Sequence, residues 1–269
     1  MIREISSFQN DWVKHLKLLQ EKNRARRKEG VFLVEGLNEI KLCLAGGYVI
    51  KEFAFCKDWI SLEKIETWVE QPYSKFGQIY ALSSAVMESL VMRSNVENAL
   101  AIVELPSKKP SLKDINSNGL YLLAESVEKP GNLGAILRSA DAAAIDAVIV
   151  CDELVDVFHP TVIRNSLGCL FTVPVIQCSA AEAIETFNHL KIQVLTTFME
   201  NSVSVFDANL TNGVVFVVGT EHQGVSDQWK NIGQNVNIPM LGQVDSLNVS
   251  VAASVLMYEA RRQRLQQKH

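Results

Sequence analysis

Five short apolar runs in the second half of the chain restrict its architecture more than any other feature. They are "LYLLAES" (120–126), "AVIVC" (147–151), "FTVPVIQ" (171–177), "QVLTTF" (193–198) and "VVFVVG" (214–219). Continuous runs of this length belong to strands covered on both faces, as in a parallel sheet packed between helices. Helical stretches at 134–144 and 180–190 lie between them. Alternation of β and α elements then predicts an α/β fold with a parallel sheet and helices on both sides.

A smaller α/β unit precedes this region. Strands are expected at "GVFLVEG" (30–36), "EFAFC" (52–56), "GQIYAL" (77–82) and "ALAIVEL" (99–105), with an amphipathic helix after the first. The stretch "PSKKPSLKDINSN" has two prolines, three lysines and terminal turn residues, and it reads as a linker. The expected division is therefore 1–105, a linker at 106–118, and 119–269. The chain has 269 residues, and its 48% hydrophobic content is ample for packed cores. Five cysteines without a C-x-x-C pair argue against a disulfide framework or a zinc site and fit a reducing cytoplasm. No run approaches the ~18 apolar residues of a membrane span.

The net charge of −4 does not suggest a nucleic-acid binder, but it hides a local excess. The segment "KHLKLLQEKNRARRK" (14–28) sets Lys14, Lys17, Lys22, Arg24, Arg26, Arg27 and Lys28 against Glu21 alone. Such a block can bind phosphates and release their counterions. It can equally be the solvated face of a helix with a basic end.

Four segments of the larger unit carry candidate chemistry. "ESVEKPGNLGAILRSADAA" (125–143) is a strand end, a loop and a helix, with Arg138 one turn beyond Gly134. Loops of this kind bind ligands in open α/β sheets. The dinucleotide fingerprint G-x-G-x-x-G is absent, however, because no third glycine follows Gly131 and Gly134. "VIRNSLG" (162–168) clusters Arg164, Asn165, Ser166 and Gly168. "GTEHQG" (219–224) places an acid between two glycines, and His222 there has no second ligand at metal spacing, so no metal is expected. "SLNVS" (246–250) opens the last helix with more polar residues than one N-cap needs, which suggests a turn that also holds a ligand. That helix ends in Arg261, Arg262 and Arg264, a second basic cluster. Neither a P-loop nor a G-x-S-x-G elbow occurs.

Together these segments resemble the SpoU, or TrmH-like, family of SPOUT methyltransferases. "NLGAILR" is similar to the family's first motif through Asn132, Gly134 and Arg138. "GTEHQG" resembles the second through Gly219, Glu221 and Gly224. "IPM", followed by "SLNVS", resembles the third. The likeness covers about residues 120–264, and the motifs occur in order. "RRKEGVFLVEG" (26–36) is similar, less specifically, to a substrate-binding domain that many members carry. Asn165, where a small residue is usual, and "DAAAID", which lacks a glycine, depart from the pattern.

The resemblance implies a SPOUT-type parallel sheet with a C-terminal trefoil knot, preceded by a small α/β substrate-binding domain. It implies S-adenosylmethionine as cofactor, a homodimer formed through the methyltransferase domain, and methylation of an RNA ribose 2′-hydroxyl. Ribosomal RNA is the favoured substrate. Transfer RNA is the runner-up, and a non-catalytic RNA-binding or assembly factor on the same fold is the alternative. Catalytic roles fall to Arg138, Asn132, Glu221, Ser246 and Asn248. The cofactor is expected against Thr196 and Thr197, then Gly219, Thr220, Glu221 and Gly224, then Ile238 and Met240, then Ser246, Leu247 and Asn248. Arg24, Arg26, Arg27 and Arg164 are expected to contact RNA. Because a guanidinium holds its protons at any physiological pH, Arg138 suits alkoxide stabilisation and phosphate orientation better than proton removal. Glu221 and Ser246 would position the nucleophile or brace their loops.

Overall fold

In the computed structural model, residues 2–92, 99–220 and 224–267 are described. They pack as two compact units, one of residues 1–107 with 158–172 and one of 108–157 with 173–269. The first contains β1 (Ile2–Ile5), α1 (Asp11–Glu21), α2 (Asn23–Glu29), β2 (Val31–Glu35), α3 (Leu37–Ala45), β3 (Ile50–Cys56), α4 (Leu62–Val69), β4 (Gln78–Leu82), α5 (Ser84–Glu88) and β5 (Ala99–Glu104). Its sheet has the order β1-β4-β3-β5-β2. β1, β4 and β3 run parallel, while β5 is antiparallel to both β3 and β2. The edge strand β1, "IREI", is polar at two of its four positions and carries no sequence signal of its own.

Two expectations are corrected in this unit. The basic block is not one helix face. The chain leaves α1 at Lys22 in an extended conformation, restarts as α2, and stops at Gly30 with φ of +65°, a backbone glycine adopts without strain. This break folds Arg26 inward. Its side chain is buried, and Nη1 donates to the carbonyl oxygen of Leu19 at 2.8 Å, in the last turn of α1. Terminal helix carbonyls lack intrahelical partners, and a cation satisfies them well. Arg26 is therefore a structural residue and not an RNA contact, while Arg24 and Arg27 are exposed. The second correction concerns residues 158–172, which pack with this first unit although they lie beyond the expected linker. Phe158 and Phe171 place their rings 4.7 and 5.9 Å from that of Phe32, and Tyr48 completes the cluster. The short helix α7 (Pro160–Asn165), which bears Arg164, belongs to this segment.

The second unit contains β6 (Leu120–Glu125), α6 (Pro130–Ala142), β7 (Ala147–Cys151), β8 (Val175–Cys178), α8 (Ala180–Leu190), β9 (Gln193–Thr196), β10 (Val203–Ser204), β11 (Val214–Val218), β12 (Gln234–Asn237) and α9 (Val249–Gln266). The sheet order is β10-β12-β9-β11-β6-β7-β8, and every pairing is parallel. The "FTVPVIQ" run is strand only from Val175, because Phe171 ends a turn of 3-10 helix. Helix α9 packs on α6 through a Ser254–Ser139 hydroxyl contact of 2.7 Å. Its terminal arginines bind this unit's own backbone and side chains. Arg261 Nε donates to Ala143 O at 2.8 Å, Arg264 Nη2 to Gly119 O at 3.1 Å, and Arg262 pairs with Glu259 at 2.7 Å.

Arg26→Ala is expected to destabilise the chain by about 1.5–3 kcal/mol, the scale of a hydrogen bond from a charged group. Arg24→Ala should stay within about 0.5 kcal/mol of wild type. Urea denaturation of the two variants checks this, and equal losses would show that Arg26 has no special structural role.

Candidate functional site

The strand order reverses direction beside β6. From β6 the chain moves outward to β7 and β8, and from β11 it moves the other way to β12. Loops that leave neighbouring strands in opposite directions open a crevice beyond their carboxyl ends. A cavity of ≈ 10 Å³ lies there, between Glu128, Lys129 and Asn132 on the β6 side and Gly219 and Thr220 on the β11 side. A larger cavity of ≈ 230 Å³ shares Gly219, Thr220 and Val249 with it and extends along Ile238, Met240, Ser246 and Leu247.

The far wall is built by the segment joining β12 to α9. Among the described residues, 238–247 make no backbone–backbone hydrogen bond, and Ile238, Met240, Asp245, Ser246 and Leu247 of this segment line the larger cavity. The segment ends at Asn248, whose Oδ1 accepts from the Ser250 amide at 3.0 Å and the Ser250 hydroxyl at 2.6 Å. Asn248 is thus the N-cap of α9. Its Nδ2 donates to Asn132 Oδ1 at 3.3 Å. One side chain therefore caps the last helix and ties it to the first turn of α6. Ser246 is not needed for the cap and lines the larger cavity.

The near wall is closed by a tight turn after β11. Thr220 and Gly224 exchange backbone hydrogen bonds of 3.0 and 3.1 Å. A Cβ on Gly219 would fall 1.9 Å from the Gly224 carbonyl oxygen, so the glycine is required by backbone approaching backbone. The end of this turn is anchored by Glu125, the last residue of β6. Glu125 is 3% exposed, and its carboxylate accepts from the Ser226 amide and hydroxyl, both at 2.7 Å, and from Trp229 Nε1 at 2.9 Å. Nothing in the sequence marks Glu125 for this role, because its partners lie 101 and 104 residues away.

Eight of the expected cofactor residues line the larger cavity: Thr197, Gly219, Thr220, Gly224, Ile238, Met240, Ser246 and Leu247. Thr196 does not. It is fully buried, and its hydroxyl donates to Asn235 Oδ1 at 2.7 Å, which holds β9 to β12, so that expectation is corrected. Glu221, together with His222 and Gln223, lies outside the described residues. Asn132 and Asn248 meet beside the smaller cavity, whereas Arg138 lines neither cavity and is exposed. Arg164 lies in the first unit, where its Nη1 meets the sulfur of Met92. Val236 and Asn237 also line the cavity and were missed, because "QNVN" is too short and polar to read as a strand. Among the described residues no group of three His, Cys, Asp or Glu side chains could hold a metal, and no helix is long and apolar enough to cross a membrane.

Comparison with known proteins gives a consistent picture. The sequence model of the SpoU rRNA Methylase family matches residues 119–258, and that of the MRM3-like substrate binding domain matches 10–101. The chain is 28% identical to the 23S rRNA (guanosine(2553)-2'-O)-methyltransferase RlmP of Bacillus subtilis, over 97% of its own length and 100% of the relative's. A crystal structure of an RNA 2'-O ribose methyltransferase superposes with a TM-score of 0.85 at 35% identity, covering 97% of this chain and 99% of that one. An AdoMet-bound rRNA methyltransferase from Sinorhizobium meliloti gives 0.85 at 26% identity, covering 97% and 98%.

Glu125→Ala is expected to cost about 2–4 kcal/mol, since it leaves a buried indole N–H and the Ser226 donors without an acceptor. The change should lower the thermal midpoint and expose Trp229 to a fluorescence quencher. A midpoint within error of wild type would remove Glu125 as the anchor.

Proposed function

The chain belongs to the SpoU rRNA methylase family, and from that membership we propose that it transfers a methyl group from S-adenosylmethionine to a ribose 2′-hydroxyl in ribosomal RNA. The observation that carries the reading is the Asn248–Asn132 contact, which brings the first and third motif segments together beside the loop of the second. The RNA 2'-O ribose methyltransferase fold and the 23S rRNA relative support the substrate class.

The larger cavity suits the cofactor. Ile238, Met240 and Leu247 offer apolar surface for a flat base, and Asp245 can meet an ammonium. When bound, S-adenosylmethionine supplies an electrophilic methyl carbon on a sulfonium, so transfer is an in-line displacement. The protein's task is to hold the 2′-oxygen about 3–3.5 Å from that carbon. Asn132 and Ser246 border the two cavities and would orient the ribose, while Asn248 holds Asn132 in place. The Arg138 guanidinium would steady the adjacent phosphate and the developing alkoxide. Glu221 keeps the positioning role its motif implies.

Arg138 lines neither cavity of its own chain, which supports a homodimer in which a second copy brings its Arg138 to the site. Leu241, Val244 and Tyr258, exposed by 96%, 63% and 50%, give the second unit an apolar surface for such pairing. The position of β12 between β10 and β9, although it is the last strand in sequence, supports a C-terminal trefoil knot. We place the protein in the cytoplasm with its RNA. The first unit would bind that RNA through Arg24, Arg27 and Lys28, all exposed, with Arg164 as a further contact.

Mapping 2′-O-methyl positions in total RNA with and without the gene should reveal the loss of one ribosomal ribose methyl. A change confined to transfer RNA would move the substrate, and no change would leave an assembly factor. In single-turnover assays Arg138→Ala should slow transfer at least ~10²-fold, the scale of one lost transition-state donor, with cofactor affinity unchanged. Wild-type turnover would make Arg138 dispensable. Neutralising Arg24, Arg27 and Lys28 together should flatten the log–log salt dependence of RNA binding by about 0.7–0.9 per lost phosphate contact. Coincident slopes for variant and wild type would show that the block is solvated surface.

A further inference from the structure

The carboxyl ends of β7 and β8 hold two cysteines in register. Cys151 and Cys178 are paired positions of neighbouring parallel strands, and their Sγ atoms lie 3.5 Å apart. Cys151 is fully buried, while Cys178 is partly exposed. Cys178 also stands immediately before Ser179, the N-cap of the eleven-residue helix α8, where the helix dipole favours a thiolate. The two thiols are not part of either cavity described above.

We propose that Cys178 and Cys151 form a redox-active dithiol that closes to a disulfide when hydrogen peroxide oxidises it. Accessibility and the helix terminus make Cys178 the attacking sulfur, and burial against it makes Cys151 the resolving one. The Cys178 thiolate attacks one peroxide oxygen and the O–O bond breaks. The departing oxygen leaves as water after taking up a proton, and Cys178 becomes a sulfenic acid. The Cys151 sulfur then forms the S–S bond and gives up its proton, and the sulfenic hydroxyl leaves as a second water. Two thiols are oxidised for one peroxide reduced.

The geometry permits this closure. Adjacent strands stand about 4.7–4.9 Å apart, inside the roughly 4.4–6.8 Å Cα separation of disulfides. The sulfurs need to approach by about 1.5 Å, which side-chain rotation supplies. A disulfide formed here is reopened by thiol–disulfide exchange once a thiol reductant reaches the partly exposed Cys178. Electrostatics act in the same direction. The contact between the two sulfurs pushes the Cys151 thiol up and holds Cys178 below the usual thiol range. Asp152 and Glu182 oppose the Cys178 thiolate, and Glu125 and Asp152 add to the rise at Cys151.

The pair lies beside the anchor of the cavity wall. Glu125 pairs with Cys151 across β6 and β7, so Glu125, Cys151 and Cys178 form one row over three strands. Cys151 belongs to the same core cluster as Val225 and Trp229, the residues below the anchored loop, and Cys178 packs against that cluster.

The test uses the reduced full-length protein treated with hydrogen peroxide, then denatured and alkylated with N-ethylmaleimide before peptide mass spectrometry. The expected result is one crosslinked peptide pair joining Cys151 and Cys178, reversed by dithiothreitol, with Cys43, Cys56 and Cys169 alkylated throughout. In Cys151→Ser, Cys178 should be trapped as a sulfenic acid by dimedone. In Cys178→Ser, Cys151 should remain a thiol. Full alkylation of both cysteines in oxidised wild type would overturn the proposal, as would Cys178 oxidised without any crosslink to Cys151.

Discussion

Glu125 is the constraint on which the candidate site depends. A carboxylate at the end of a central strand is buried, and it is tolerated there because three donors from the β11–β12 connection converge on it. A buried polar group without such partners costs several kcal/mol. The bonds therefore act in both directions: the strand end is stable only with the loop in place, and the loop is fixed by the strand end. The Thr220–Gly224 turn sits just before this anchor, and the wall of the larger cavity is made from that turn. Cavity shape is in this way set by the sheet and not by loop sequence alone.

The same logic governs the opposite wall. Among the described residues, segment 238–247 makes no backbone–backbone hydrogen bond, so it needs fixed ends. One end is β12, held between β10 and β9. The other is Asn248, which caps α9 and reaches Asn132. The helix is held in turn by its terminal arginines, which bind carbonyl groups of the same unit. Counting charges along the chain overstates the surface available to RNA, because Arg26, Arg261 and Arg264 satisfy helix and loop carbonyls.

Legibility in the sequence followed the range of each interaction. β6, β7, β9 and β11 are legible because burial on both faces leaves a continuous apolar run. β1, β10 and β12 lie at or near sheet edges, and their polar positions remove that signal. Gly219, Gly224 and Ser246 are readable because turn chemistry is local, whereas Leu247 is marked only by the resemblance to the family's third motif. Glu125, the Cys151–Cys178 pair and the stacking of Phe158 and Phe171 on Phe32 join residues 27 to more than 100 positions apart, and no local pattern announces them. Arg26 was misread for a related reason: only the break at Lys22 turns its side chain inward.

We propose that the loops after β11 and β12 form one preassembled pocket for S-adenosylmethionine, anchored from β6. Hydrogen–deuterium exchange of the full chain with and without S-adenosylmethionine tests it directly. Added protection is expected in peptides spanning 219–229 and 236–250, with residues 10–101 unchanged. Protection confined to the turn at 126–132, with the later loops unaffected, would place the ligand at that turn and rule out the pocket.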